Sequence, residues 1–225
     1  MGHNKLKKFA QVKEFPNVFE PPGAEERNTP FPLKGKWKEE YFKNNNPITL
    51  ELGCGRGEYT VALARLFPNR NFIGMDIKGA RMWKGAKIAL EENLKNVAFV
   101  RSRIDFIETY FATNEISEIW IPFPDPQPNK PKKRLVSSMF VERYRNIAPK
   151  GTTVHLKTDN QELYLFAMEQ VMQNKYPLLA NSEDVYSDSK SLGLESYSIL
   201  TEIQTYYEKL FLEKGLKIHY VEFTV

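Results

Sequence analysis

Gly53, Gly55 and Gly57 occupy alternate positions in ELGCGRGE, directly after the apolar run ITLEL (48–52). Glycine permits a tight turn and lets the backbone approach a ligand closely, because no Cβ stands in the way. A dinucleotide-binding turn requires its third glycine at position 58. That position is Glu58, whose carboxylate would oppose a pyrophosphate, so a nicotinamide or flavin dinucleotide is disfavoured. Acids extend the pattern. Glu51 precedes the glycines, Asp76 ends a second apolar run, NFIGMDI (71–77), and Asp105 follows a third, VAFVRS (97–102). S-adenosylmethionine has no phosphate and presents an ammonium, a sulfonium and a ribose diol. Glu51 suits its cationic methionine end, or orders the turn through backbone amides. Asp76 stands where an acidic side chain accepts both ribose hydroxyls, and Asp105 is placed toward the adenine side.

These residues need strands to carry them. ITLEL, NFIGMDI, VAFVRS, EISEIWIPF (115–123) and TTVHLKT (152–158) alternate with helical patterns in EYTVALARLF, ARMWKGAKIALEENL and RLVSSMFVERYRNIA. The last places Val136, Phe140, Tyr144 and Ile147 on one face. Strands alternating with helices predict an α/β fold with a mostly parallel sheet and helices on both faces; the glycine turn joined to the acids after the second and third strands suits a Rossmann-like class I methyltransferase in particular. LKIHYVEFTV, after a helical YYEKLFLEKG, is expected to close the sheet antiparallel to the fifth strand. Residues 47–225 are expected to form this domain. Residues 1–46, with nine Lys/Arg against six Asp/Glu and many prolines, read as an extended arm.

The fourth strand runs into IWIPFPDPQPNKPKKRL (119–135), with five prolines and four basic residues. Proline restricts its own φ and the residue before it, so Asp125 is expected to be held at the strand's carboxyl end. Lys130, Lys132, Lys133 and Arg134 then lead outward, joined by Arg143 and Arg145, against the single acid Glu142. Next to a reaction loop such a run is expected to contact the phosphates of a polyanion, with KLKK (5–8) a further basic point.

The 225-residue chain can bury one full core. Its charge of +4 and pI near 8.9 are only mildly basic. One cysteine, Cys54, excludes an internal disulfide framework and a cysteine metal cluster; it reads as a small residue in the turn. His155 and His219 are too far apart for a metal motif, and Trp83 and Trp120 read as packing residues. No run is long and apolar enough to span a membrane, so a cytoplasmic protein is expected. Monomer and homodimer both remain open.

FPDPQP (123–128), KTDN (157–160) and TYYE (205–208), behind LELGCGRGEYT, resemble the bacterial tRNA (guanine-N7-)-methyltransferases over roughly residues 47–223. The resemblance implies that Glu51, Asp76, Asp105 and Asp125 contact S-adenosylmethionine, with Asp125 also the catalytic position. It implies that Asp159, Thr205 and Glu208 contact the substrate, a guanine of the tRNA variable loop, and that the basic run touches RNA. Gln127 stands where the family has Trp, Asn129 stands where it has its first Lys, and Pro131 interrupts the run, so Lys130 is taken as the substrate lysine.

Guanine N7 has an in-plane lone pair and no proton, so its methylation needs no general base, and orientation carries much of the catalysis. Asp125 would stabilise the positive charge that spreads over the ring. Asp159 or Glu208 would accept hydrogen bonds from guanine N1–H and its amine. Thr205 either contacts the base or caps the helix that follows it, and Phe123 or Tyr207 flanks the base. The rival readings are methylation of another RNA base or a small molecule, and a non-catalytic RNA-binding protein of the same fold.

Overall fold

A computed structural model describes residues 2–20, 31–188 and 194–225. Five parallel strands form its centre: β2 (Ile48–Leu52), β3 (Asn71–Asp76), β4 (Val97–Arg101), β5 (Glu118–Pro122) and β6 (Thr153–Thr158). Every residue of β2 is buried, as a strand covered on both faces requires. With β1 (Val18–Phe19), β7 (Leu178–Ser182) and β8 (His219–Thr224), the sheet order is β1-β4-β3-β2-β5-β6-β8-β7. The chain moves outward from β2 through β3 to β4, then crosses back to lay β5 on the other side of β2. That reversal brings the carboxyl ends of β2 and β5 together, and a ligand crevice opens at such a point.

β8 pairs antiparallel with β6, as expected from the terminal alternation. β7, which pairs antiparallel with β8, was not anticipated: LLANS is largely exposed and lacks the apolar pattern of a buried strand. Helices α2 (Glu58–Leu66), α3 (Gly79–Glu91) and α5 (Ser138–Ile147) fall where periodicity places them, and a single short turn, α4 (Ile107–Tyr110), precedes β5. Val136, Phe140, Tyr144 and Ile147 are all buried. After α6 (Gln161–Gln173), the last helical stretch divides into α7 (Leu194–Glu202) and α8 (Tyr206–Glu213), broken at Thr205.

The described parts of residues 1–46, which are 2–20 and 31–46, pack on the rest of the chain where an extended arm was expected. Helix α1 (Gly2–Val12) packs on α3, β1 adds a parallel edge strand beside β4, and Trp37 begins a π-helical turn (Trp37–Phe42). Trp37 is fully buried, its indole N–H donates to the Tyr110 carbonyl at 3.0 Å, and Phe31, Tyr41 and Phe111 pack around it. Proline and charge in this segment obscured Phe31, Trp37 and Tyr41, which together follow no single helical or strand period. Residues 21–30 of the segment lie outside the described residues.

Removing a fully buried tryptophan side chain leaves a cavity. Trp37→Ala is therefore expected to cost about 4 kcal/mol of stability by urea unfolding; an unchanged midpoint would mean that the segment is an appendage.

Candidate active site

A cleft of about 820 Å3 opens at the carboxyl ends of the central strands. Glu51, Gly53, Gly55, Asp76, Asp105 and Asp125 line it, and so do Lys130, Lys133, Asp159 and Thr205. Residues separated by up to 154 positions thus share one wall system, because the turns after β2, β3, β4, β5 and β6 all open on the same edge.

Gly53 and Gly55 adopt φ of 73° and 52°, the left-handed region that glycine enters without strain, and an added Cβ would meet little at either. Gly57 does not line the cleft. A Cβ there would fall 2.6 Å from the Phe99 ring, so this glycine serves packing of α2 against the sheet.

Glu51 is buried and accepts hydrogen bonds from the Thr60 amide at 2.7 Å and from the Thr60 hydroxyl, both on Oε2. Burial pushes its pKa up to about 8, against the lowering effect of Thr60. Asp76 accepts from the Gly55 amide at 2.9 Å and the Lys78 amide at 2.7 Å, which pins its carboxylate at the cleft edge. Asp105 pairs with Lys133 at 2.8 Å and Arg103 at 3.1 Å, and the Lys133 bond leads in holding its pKa down. This half of the cleft fits S-adenosylmethionine. It has a buried carboxylate for a cation, open glycine backbone, and a fixed carboxylate for a diol.

The loop after β5 turns twice through the left-handed region, at Phe123 (φ 52°) and Gln127 (φ 46°), an uncommon conformation for side chains other than glycine. Asp125 lies between these bends, exposed, and Oδ1 accepts the Gln127 amide at 3.0 Å. Phe123 N–H donates to the Lys157 carbonyl at 2.7 Å, continuing the β5–β6 pairing. Arg134 holds the loop from beneath. Its Nε donates to the Pro126 carbonyl at 2.9 Å, its guanidinium pairs with Glu162, and it stacks over Phe166 at 4.6 Å. At 4% exposure, Arg134 does not reach outward to phosphate as the basic run suggested. Lys130 and Lys132 are exposed.

Over residues 45–221 the chain matches the model of the family described as "Putative methyltransferase". It is 48% identical to the tRNA (guanine-N(7)-)-methyltransferase of Bacteroides fragilis, covering 99% of this chain and 86% of that one. It is 47% identical to the enzyme of the same name from Christiangramia forsetii, over 99% and 98%. The chain belongs to the tRNA (guanine-N7-)-methyltransferase family. Among solved structures, the 16S rRNA methyltransferase KamB superposes at a TM-score of 0.62 over 83% of this chain and 91% of that one, at 12% identity, a likeness of fold alone.

In this methyltransferase Thr205 caps α8. Its hydroxyl accepts the Glu208 amide at 3.1 Å, and the Glu208 carboxylate returns to the Thr205 amide at 3.3 Å, closing a capping box. Thr205 still lines the cleft, so the capping and contact readings coexist. Glu208 does not reach the cleft. It is fully buried, paired with Lys157 at 2.5 Å and hydrogen-bonded by Tyr186 at 2.9 Å. The expectation that its carboxylate reads a guanine edge therefore gives way to a supporting position behind Thr205.

Lys157 was missed as an individual residue. It is fully buried, donates to Tyr59 Oη at 3.0 Å and to the Leu200 carbonyl, and pairs with Glu208. Burial pulls its pKa down to about 8 and raises that of Glu208. A lysine inside the apolar run TTVHLKT was the available signal. His155 stacks on Trp120 at 4.1 Å and bonds Tyr220 and Glu118, the packing position expected of it. Among the described residues no group of His, Cys, Asp and Glu is placed to hold a metal ion, and no helix is long and apolar enough to cross a membrane.

Two outcomes follow from these burials. At pH 7, below the raised Glu51 pKa, that carboxyl is largely protonated in the free protein, and a bound cation draws its pKa down. Calorimetry in buffers of differing ionisation enthalpy is expected to show proton release on binding S-adenosylmethionine, and Glu51→Gln to abolish it; a buffer-independent heat for wild type would contradict the assignment. Arg134→Ala removes a buried guanidinium from the Pro126 carbonyl and the Phe166 ring and is expected to cost about 2 kcal/mol in urea unfolding, whereas a solvent-facing arginine would change stability by less than about 0.5 kcal/mol.

Proposed function

We propose that this chain transfers a methyl group from S-adenosylmethionine to N7 of a guanine in tRNA, with the variable loop as target, in the cytoplasm. The observation that carries the reading is that Asp125, Asp159 and Thr205 line the same cleft as the glycine turn and Asp76. The tRNA (guanine-N(7)-)-methyltransferase names of its relatives support it. When bound, S-adenosylmethionine supplies an electrophilic methyl group on a sulfonium.

Because N7 bears no proton, no residue has to remove one. The chain's part is to orient the base and to meet charge. Asp125 uses Oδ1 to brace its own loop, and Oδ2 is left to face the ring as positive charge spreads over it. Asp159, whose pKa burial raises, accepts hydrogen bonds from the guanine N1–H and amine. Thr205 Oγ1 already accepts the Glu208 amide, so its hydroxyl hydrogen is free to donate into the cleft, where guanine O6 is a suitable acceptor. Lys130, exposed on the cleft rim, takes the place of the family's substrate lysine. N7 of a helical guanine lies in a deep, narrow groove, so the target base has to be in a loop or exposed by tertiary distortion.

Radiolabelled methyl groups are expected to enter bulk tRNA and to render it cleavable by borohydride and aniline at one guanine. Asp125→Ala is expected to lower turnover on the order of a hundredfold with the fold intact. Undiminished turnover would remove Asp125 from the mechanism, and absence of cleavage with wild type would sink the substrate assignment.

A further inference from the structure

We infer that the RNA is gripped mainly over the rim formed by the glycine turn, α3 and the start of α8, through Arg56, Lys78 and Arg81 with Tyr206 and Tyr207, and less over the basic run after β5. The inference rests on the proposed tRNA substrate. The run after β5 is rich in cations, yet most are already neutralised. Lys133 pairs with Asp105 at 2.8 Å, Arg143 with Glu108 at 3.0 Å and Arg145 with Glu142 at 2.6 Å, and Arg134 is buried on Glu162. A cation held by a carboxylate gains less from a phosphate, because it must give up that partner first.

The opposite rim differs. Among the described residues, Arg56, Lys78 and Arg81 have no carboxylate within ion-pair distance. All three line the cleft. Arg56 lies 3.9 Å over the Tyr206 ring and Arg81 5.5 Å from the Tyr207 ring, and the two rings meet edge to face at 5.5 Å. Tyr206 and Tyr207 are 42% and 37% exposed, and the Tyr206 amide is tied to Glu58 at 2.9 Å. Exposed rings interleaved with free guanidinium groups, held on a capped helix, make a stacking and phosphate-binding platform for unpaired nucleotides.

The surface continues away from the cleft. Lys78, Arg81, Lys84 and Lys87 follow at three-residue intervals, so each is a surface neighbour of the next on α3. Lys84 and Lys87 pair only at 3.8 Å with Glu58 and 3.3 Å with Glu91. Lys87 and Lys8 of α1 both lie over Trp83, at 5.2 Å and 4.6 Å. Lys8 thus extends this track from α1.

The test compares Lys78→Ala/Arg81→Ala with Lys132→Ala/Lys133→Ala in the full chain, reading the KM for tRNA across a salt series. Calorimetry with S-adenosylmethionine and a thermal midpoint verify that site and fold survive. The α3 pair is expected to raise KM and to flatten the slope of log KM against log salt by about 2, one per lost phosphate contact. An unchanged slope for that pair, or an equal or larger loss from the Lys132/Lys133 pair, would overturn the inference. If wild type forms no N7-methylguanine, the substrate reading fails instead, and filter binding of the same tRNA to the two double variants still decides which rim grips it.

Discussion

A fully buried ammonium has to be met by a carboxylate, and around Lys157 the structure arranges four separate elements to do so. Its stem leaves β6, its charge meets Glu208 of α8, and its remaining donors reach Tyr59 of α2 and the Leu200 carbonyl of α7. Desolvation opposes both charges, so neither partner is tolerable alone. Leaving α8 undocked would strand the lysine, and this coupling fixes α7 and α8 against the sheet. Since Glu208 is also half of the capping box on Thr205, the same contact sets where Thr205 stands at the cleft. Phe123, at the start of the loop after β5, has its ring centre 5.7 Å from the Lys157 ammonium and 5.8 Å from the tilted Phe211 ring. The loop and the C-terminal helices are thus registered against one buried charge.

The topological reversal between β2 and β5 supplies the other half of the geometry. It lays two turns side by side, one open and glycine-rich, the other stiffened by proline and bent twice. The first presents backbone and carboxylates to a ligand, and the second presents Asp125. Arg134 keeps the second turn in place through the Pro126 carbonyl, a positioning task for a residue whose sequence neighbours are solvent-facing lysines.

Charge is distributed accordingly. Acids gather inside the cleft, where a cationic ligand needs them and where, on the proposed mechanism, a ring gaining positive charge does too. Cations stand on the rims, and their pairing state separates the two sides. On the α5 side they stabilise the enzyme's own acids, and on the α3 side they remain available to a polyanion.

Most of the sheet and the acids of the cleft were legible in the sequence, because apolar alternation and glycine spacing report backbone geometry over a few residues. Glu51, Asp76, Asp105, Asp125 and Asp159 each follow or end a strand pattern, and parallel strands deliver such residues to one edge. Trp37, β7 and the Lys157–Glu208 pair were not legible, since each depends on partners tens of residues distant and leaves no local period. Arg134 and Glu208 show the same limit from the other side. Their types named them as contacts for RNA and guanine, while burial assigns them to hold the loop and the helix. Side-chain chemistry was therefore determined by sequence alone, and which groups face the cleft was decided only by tertiary packing, because exposure is a property of the surroundings and not of the residue.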